Sequence, residues 1–306
     1  MNIDQPCLGI ALGGGAALGY AHLGILEVLD VEGICPDLVV GTSMGALVGA
    51  AYVSWPNIGA TQRRFRVGLE DPFIMGLNLD YLKSKTEASF WELLFGKIRR
   101  GLMVTQSMIR DSIVDAEAFS RILRNLLPDS DIENLPRTFA CISANLNAKQ
   151  HRHLWTQGSL LQAAAASCAI PGIFPAQEIN GDVHVDGGSV ENIPVPAAKE
   201  LGATFIIAIN VDEEDTGHQP AVAAEYFVAA SELSRRSLTD LQIRDAQVLL
   251  APKLSQFHWA DFQKIDEIIE QGRVAADAQI DEIRYLWQDH RKGFRKGVWA
   301  WMRTEK

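Results

Sequence analysis

Three stretches of the 306-residue chain carry residues whose types and spacing suit chemistry: Gly41-Thr42-Ser43-Met44-Gly45, Gly13-Gly14-Gly15-Ala16-Ala17-Leu18-Gly19, and Asp186-Gly187-Gly188. The first is a G-x-S-x-G between an apolar run at 38–40 and a segment, 44–53, that is apolar or small throughout. A hydroxyl held on a sharp strand-to-helix turn needs residues without side-chain bulk two positions before and after it. Gly41 and Gly45 meet that need and make Ser43 the expected nucleophile. The same turn aims the amide of Met44 and the positive end of the following helix at anything bound to Ser43 Oγ.

The glycine stretch follows an apolar strand at 7–12 and precedes a helix with Leu23, Leu26 and Leu29 on one spacing. Such a turn offers bare backbone N–H groups to an anion, either a nucleotide pyrophosphate or the oxyanion of a tetrahedral intermediate. Dinucleotide binding asks for an acidic residue at the end of the second strand, where this chain has the elbow, so the oxyanion is favoured. In the third stretch, Val183 and Val185 alternate with Asp182 and His184 and deliver Asp186 onto two glycines that clear space around it.

A serine nucleophile needs a base, usually histidine. Of the seven histidines none lies in a loop after a final core strand with other site signals around it, with His258 and His218 the nearest to that requirement. His22, just after the glycine loop, reads as a support behind it. Asp186 is then the strongest acid–base residue, and a Ser43–Asp186 dyad is the economical hypothesis.

The elements that must position these groups alternate. Beyond the elbow the sequence predicts a helix at 117–127, strands at 138–145 and 151–155, and an alanine-rich helix opened by a capping box at Ser159 and closed at Ile170-Pro171. A hairpin around Asn180-Gly181, a helix at 194–201 and a strand at 204–211 follow. A helix at 221–245, a strand at 247–251 and one amphipathic helix at 262–287 complete the pattern. The expected fold is α/β in three layers, a mainly parallel central sheet with helices on both faces. Residues 8–211 read as the catalytic domain, 212–286 as an extension on the same body, and 287–306 as a basic, Trp-containing tail.

Composition narrows the classes. A net charge of −10 without a recognisable nucleic-acid motif argues against a nucleic-acid partner. The first residues lack a basic and then an apolar region, which points to the cytoplasm, and the segment 39–55 is too short and glycine-rich for a comfortable membrane span. Cys7, Cys35, Cys141 and Cys168 have no paired or metal-type spacing and read as reduced core residues. Residues 284–306 hold seven Lys/Arg against two Asp/Glu, with Trp287, Trp299 and Trp301, a composition suited to peripheral contact with an anionic bilayer or to packing on the acidic body. Between 56 and 101, basic residues interleave with Phe65, Phe73, Phe90, Trp91 and Phe95, as in a lid over amphiphiles or a surface insertion.

Taken in order, the glycine loop 13–19, the elbow 41–45, Ile170-Pro171-Gly172-Ile173-Phe174-Pro175 and Asp186-Gly187-Gly188 resemble the patatin-like phospholipase family, especially its bacterial members, over about 8–211. The resemblance implies Ser43 as nucleophile, Asp186 as proton acceptor and the amides at Gly14 and Gly15 as oxyanion hole. It further implies hydrolysis of phospholipid, lysophospholipid or other lipid esters through an acyl-enzyme, with no metal or cofactor. The chain departs from the family at Leu18, where Arg or Lys is usual, and at Ala16, often glycine. The first change adds weight to a neutral acyl ester as substrate. Two alternatives stand beside this reading: a non-catalytic regulator on the same scaffold, and a cofactor-dependent oxidoreductase.

Overall fold

A computed structural model describes residues 5–55, 57–68, 112, 114–212 and 223–304. Each half of the first crossover follows from its residues. The apolar β1 (Leu8–Leu12) is buried along its length, runs into the glycine loop, and is followed by α1 (Ala21–Val31). The equally buried β2 (Leu38–Thr42) turns at Ser43 into α2 (Met44–Ser54), whose residues 44–53 are buried on every side, as expected of a central helix. After α3 (Ile58–Gly68), α4 (Ala116–Leu126) is capped by Asp115, which accepts from the Ala118 N–H, and carries a clear apolar face. Then come β3 (Thr138–Asn145), β4 (Arg152–Trp155), α5 (Leu160–Ser167), β5 (Gln177–Ile179) and β6 (Asp182–Asp186). The chain continues through α6 (Val195–Glu200), β7 (Phe205–Ile209), α7 (Ala223–Gln242) and β8 (Val248–Leu250).

The sheet runs β5-β6-β3-β2-β1-β7-β8, with β4 also on β3; the β3-β2-β1-β7-β8 part is parallel and the β4, β5 and β6 pairings are antiparallel. Alternation along the strands gives two packed faces. Ile10, Leu12, Val39, Phe139 and Ile207 face a thick layer that includes α1, α2 and α5. Ala11, Leu38, Val40, Ile142 and Ile206 face a thinner layer built on α6. This is the expected three-layer α/β architecture.

One detail of register governs the site. Opposite Ser143, β3 has β4 on one edge and β6 on the other, and opposite Cys141 it has β4 and β2. Strands β2 and β6 therefore share a single edge of β3 and approach from opposite ends. Thr42, the last residue of β2, pairs with Ile142, and Asp186, the last residue of β6, pairs with Ser143. Their C-terminal ends meet.

The structure departs from expectation at three places. The single helix at 262–287 is instead a 3-10 turn (Phe262–Lys264), α8 (Ile265–Asp277) and α9 (Ile280–Thr304), broken by a tight turn in which Gln279 N–H bonds Ala276 O. The break lets α8 lie on α1 while α9 turns Ile283 into the core and packs Trp287 and His290 at a tilt against Phe205. Trp287 thus belongs to the body, and α9 runs straight through the expected boundary at 287; the side chains from 295 onward, Trp299 and Trp301 included, lie outside the described residues. Cys35 is exposed and Cys7 half-buried, so only Cys141 and Cys168 are core residues. In the expected lid, Phe65 is core, Arg64 lies 3.5 Å over the Trp55 ring and Arg66 pairs with Asp266 at 2.8 Å, so these residues serve their own body; 69–101 lie outside the described residues.

Helices α1 and α8 touch backbone to backbone. A Cβ on Gly24 would lie 2.0 Å from Ile269 O, and one on Gly272 would lie 2.0 Å from Ala21 O. Neither acceptor is a flexible side chain that can move aside. Gly272→Ala is expected to lower unfolding stability by about 1–3 kcal/mol or more in a denaturant titration, while Gly59→Ala, whose Cβ meets nothing closer than 3.4 Å, leaves it unchanged or slightly higher.

Candidate active site

Ser43 has φ +54° and ψ −124°, a conformation costly for a residue with a side chain, and it caps α2. The turn is over-determined around it. A Cβ on Gly41 would lie 2.3 Å from Gly45 O, and one on Gly45 would lie 2.2 Å from Leu12 O. Ser43 N–H donates to Ser167 Oγ of α5 at 3.0 Å, and Ser43 O accepts from Ala46 and Leu47 at 2.8 and 3.1 Å. These contacts hold the strained residue in place.

Asp186 is positioned from three sides. Its N–H donates to Ala169 O at 2.9 Å, its Oδ1 accepts from Gly188 N–H at 2.7 Å, and a Cβ on Gly187 would lie 2.4 Å from Ile142 O. The residue is 5% exposed. Its pKa rises to about 6; burial is the cause, opposed by the Ser43 hydroxyl, the Gly188 N–H and the charge of Arg235. Asp186 Oδ2 is buried without a hydrogen-bond partner among the described residues. The join of β2 and β6 on β3 brings Ser43 and Asp186 into one cavity.

That cavity measures about 60 Å³. Gly14, Gly15, Leu18, Ser43, Ile170 and Asp186 line it, and so do Asn192, Asp212, Arg235 and Trp259. No histidine does. His22 Nε2 donates to Gly13 O at 2.8 Å, and burial lowers its pKa to about 4, so it braces the glycine loop as a neutral ring, as its place in the sequence suggests. His184, on the face of β6 that also carries Asp186, bonds Ser143 Oγ through Nδ1 at 3.0 Å; that oxygen also accepts from Trp155 Nε1 at 2.8 Å. His258 Nδ1 accepts from Ala260 N–H, and His218 lies outside the described residues.

The glycine loop differs from expectation in one donor. Gly13 N–H donates to Ile209 O at 3.1 Å and Gly14 N–H to Asn192 O at 3.2 Å, so the Gly14 amide is already committed to the segment after β6. Among the described residues the N–H groups of Gly15, Ala16 and Met44 have no acceptor. Ala16 has φ +49°, a left-handed conformation that disfavours a Cβ. Gly14 still matters for space: a Cβ there would lie 3.2 Å from Ser43 Cβ and 2.8 Å from Asn192 Oδ1. Gly19 makes room for Met44, whose Cγ would lie 2.3 Å from an added Cβ.

Sequence reasoning missed Ser167, Asn192, Asp212, Arg235 and Trp259. Each is a single side chain without periodic or motif context, and four of the five come to the cavity from outside the elbow, glycine loop and Asp-Gly-Gly turn. Asp212, Arg235 and Trp259 belong to the expected extension, so the expected boundary at 211 cuts through the cavity wall.

A strand-loop-helix elbow, a glycine loop and an Asp-Gly-Gly turn stand together on one mixed sheet. The chain matches the Patatin-like phospholipase family model over residues 10–199 and belongs to that family. It is similar to the "Neuropathy target esterase sws" of Drosophila melanogaster, 28% identical over 290 residues that make up 90% of this chain and 19% of the fly protein. It is also similar to the "Lysophospholipase NTE1" of Meyerozyma guilliermondii, 26% identical over 302 residues, 90% of this chain and 19% of the yeast protein. The chain spans about a fifth of these relatives, which are eukaryotic where the sequence resemblance pointed to bacterial members. Among solved structures, VipD from Legionella pneumophila aligns over 91% of this chain and 67% of its own at 15% identity, with a TM-score of 0.46. Among the described residues no helix is long and apolar enough to cross a membrane.

The raised pKa carries a stability consequence. A carboxyl whose folded-state pKa lies above its unfolded value makes the fold less stable as pH rises from about 4 to about 6, because the unfolded chain ionises first. At pH 7 the ionised Asp186 therefore costs on the order of 2–3 kcal/mol. Asp186→Asn is expected to be folded and more stable than wild type at pH 7, with the gain vanishing near pH 4, in denaturant titrations at the two pH values.

Proposed function

We propose that the protein is a serine acyl hydrolase that cleaves lipid esters through a Ser43–Asp186 dyad and an acyl-enzyme. The observation that carries this reading is a strained serine and a buried carboxyl brought into one cavity that no histidine among the described residues lines. Asp186 takes the proton of Ser43 Oγ as the oxygen attacks the ester carbonyl carbon. The developing oxyanion is received by the N–H groups of Gly15 and Met44, each contributing about 3 kcal/mol when well placed. Asp186 then passes the proton to the departing alcohol. Water, activated by the same carboxylate, attacks the acyl-enzyme and releases the fatty acid.

An unshielded aspartate, with a pKa of about 3.9, is a weak base near neutral pH. Burial answers this by raising Asp186 to about 6, closer to the working pH. Gly13, Gly19, Gly41, Gly45, Gly187 and Gly188 take part through the space they leave. The substrate is a phospholipid, a lysophospholipid or a neutral acyl ester; the apolar Leu18 in the cavity wall adds weight to the last. The catalytic unit includes the extension, since Arg235 and Trp259 line the same cavity. A peripheral contact of the basic tail with an anionic bilayer rests on residues beyond Trp287, because Trp287 itself is packed on Phe205.

Labelling with a fluorophosphonate and turnover of a short-chain chromogenic ester test the dyad. Ser43→Ala is expected to abolish labelling, and Asp186→Asn to slow turnover by at least about 10²-fold, the lower end for loss of a general base. Well-folded wild type that neither labels nor turns over, with lipid vesicles present, would favour a non-catalytic regulator. Because the base must be ionised, kcat/KM is expected to rise with pH through about 6 and level off above it, read from a pH–rate profile.

A further inference from the structure

Arg235 is an unusual residue for a cavity wall that also holds the reacting groups. It sits on α7 and is only 8% exposed. Its Nη2 donates to Asp212 Oδ2 at 2.6 Å and its Nε to Glu232 Oε2 at 2.9 Å. Burying an arginine is tolerated when such pairing offsets its desolvation. Here the pairing leads to the catalytic loops. Asp212 Oδ2 also accepts from Asn192 Nδ2 at 3.5 Å, and Asn192 O takes the Gly14 N–H. Asn192 Oδ1 lies 2.8 Å from the position of a Gly14 Cβ and 3.2 Å from that of a Gly188 Cβ, so this side chain wedges between the glycine loop and the Asp186 turn. The segment before Asp212 meets the same loop: a Cβ on Gly15 would lie 2.7 Å from Val211 Cγ2.

We propose that Arg235 is a positioning residue of this site: paired with Asp212 and Glu232 in the cavity wall, it fixes the segment after β7 against the glycine loop and sets a permanent positive charge facing Asp186. The proposal rests on the hydrolase reading above for its catalytic meaning. Two carboxylates already claim the guanidinium, which makes it part of the scaffold and not a receptor for a lipid phosphate. Among the described residues, the other charged or titratable groups around the pair are Cys168 after α5, Asp212 after β7, and Glu232 and Arg236 on α7. Arg235 favours the ionised carboxylate against the effect of burial.

The test compares Arg235→Gln and Arg235→Lys with wild type in the full chain. Two readouts are used: the pH dependence of fluorophosphonate labelling, and hydrogen exchange in peptides covering 13–19 and 209–212. In Arg235→Gln the acid limb of labelling is expected to move up by about half to one pH unit, as for a carboxylate losing a nearby cation, and exchange in both peptides to quicken. Arg235→Lys keeps the charge and loses the fork, so its acid limb stays with wild type while exchange still quickens. A folded Arg235→Gln with the wild-type limb and wild-type exchange overturns the proposal. If Arg235→Gln does not fold, Arg235→Lys decides, and exchange equal to wild type in both peptides overturns it. If wild type itself does not label, the hydrolase reading fails, and exchange at 13–19 still decides whether Arg235 braces the loop.

Discussion

Strands β2 and β6 run toward each other along the same edge of β3, and everything chemical in this protein depends on where they stop. β2 ends opposite Ile142 and β6 opposite Ser143, adjacent residues of one strand. The chain leaving β2 must turn at once, because the end of β6 lies ahead of it, and the turn is made at Ser43 with φ +54°. The chain leaving β6 turns on Gly187 and Gly188, where an added Cβ at 187 would strike Ile142 O. The sheet's hydrogen bonding thus fixes the two backbone ends that carry Ser43 and Asp186. The price is strain at Ser43, held by bonds from α2 and Ser167 and by the absence of bulk at Gly41 and Gly45.

Electrostatics follow from the same packing. A carboxyl 5% exposed is disfavoured as an anion, and the partial compensation from Gly188 N–H, the Ser43 hydroxyl and Arg235 leaves it with a pKa near 6. An aspartate in water would be the weaker base, and one buried without partners would stay protonated. The glycine loop is divided in function. Gly13 and Gly14 spend their amides on β7 and Asn192, anchoring the loop, and this leaves Gly15, Ala16 and Met44 with open N–H groups. The neutral His22 secures the Gly13 carbonyl from within the layer of α1.

Most of the fold was legible because its signals are local. Apolar runs at 38–40 and 204–211, glycines at fixed offsets from Ser43, and Asn180-Gly181 each determine a few residues of backbone. What the sequence could not convey depends on distant partners. Nothing near Asp186 states that β6 will take over the edge of β3 where β2 ends. The Gly14 amide was readable as a donor, but its acceptor, Asn192 O, lies 178 positions on. Arg235 stands in an otherwise ordinary helix, and its partner Asp212 lies 23 positions earlier, after β7. Ala278 and Gln279 are good helix formers, so the break between α8 and α9 comes from tertiary packing overriding propensity. Gly24 and Gly272 sit inside helices, and only the approach of α1 to α8 explains them.

The central claim is that Ser43 carries the acyl group during turnover. Rapid quenching of the enzyme with a slowly hydrolysed fatty-acyl ester, followed by peptide mass spectrometry, tests it most directly. The account predicts an acyl mass increment on the peptide containing Ser43, absent from Ser43→Ala. Ester turnover with the increment on another residue, or unchanged turnover in Ser43→Ala, would contradict it.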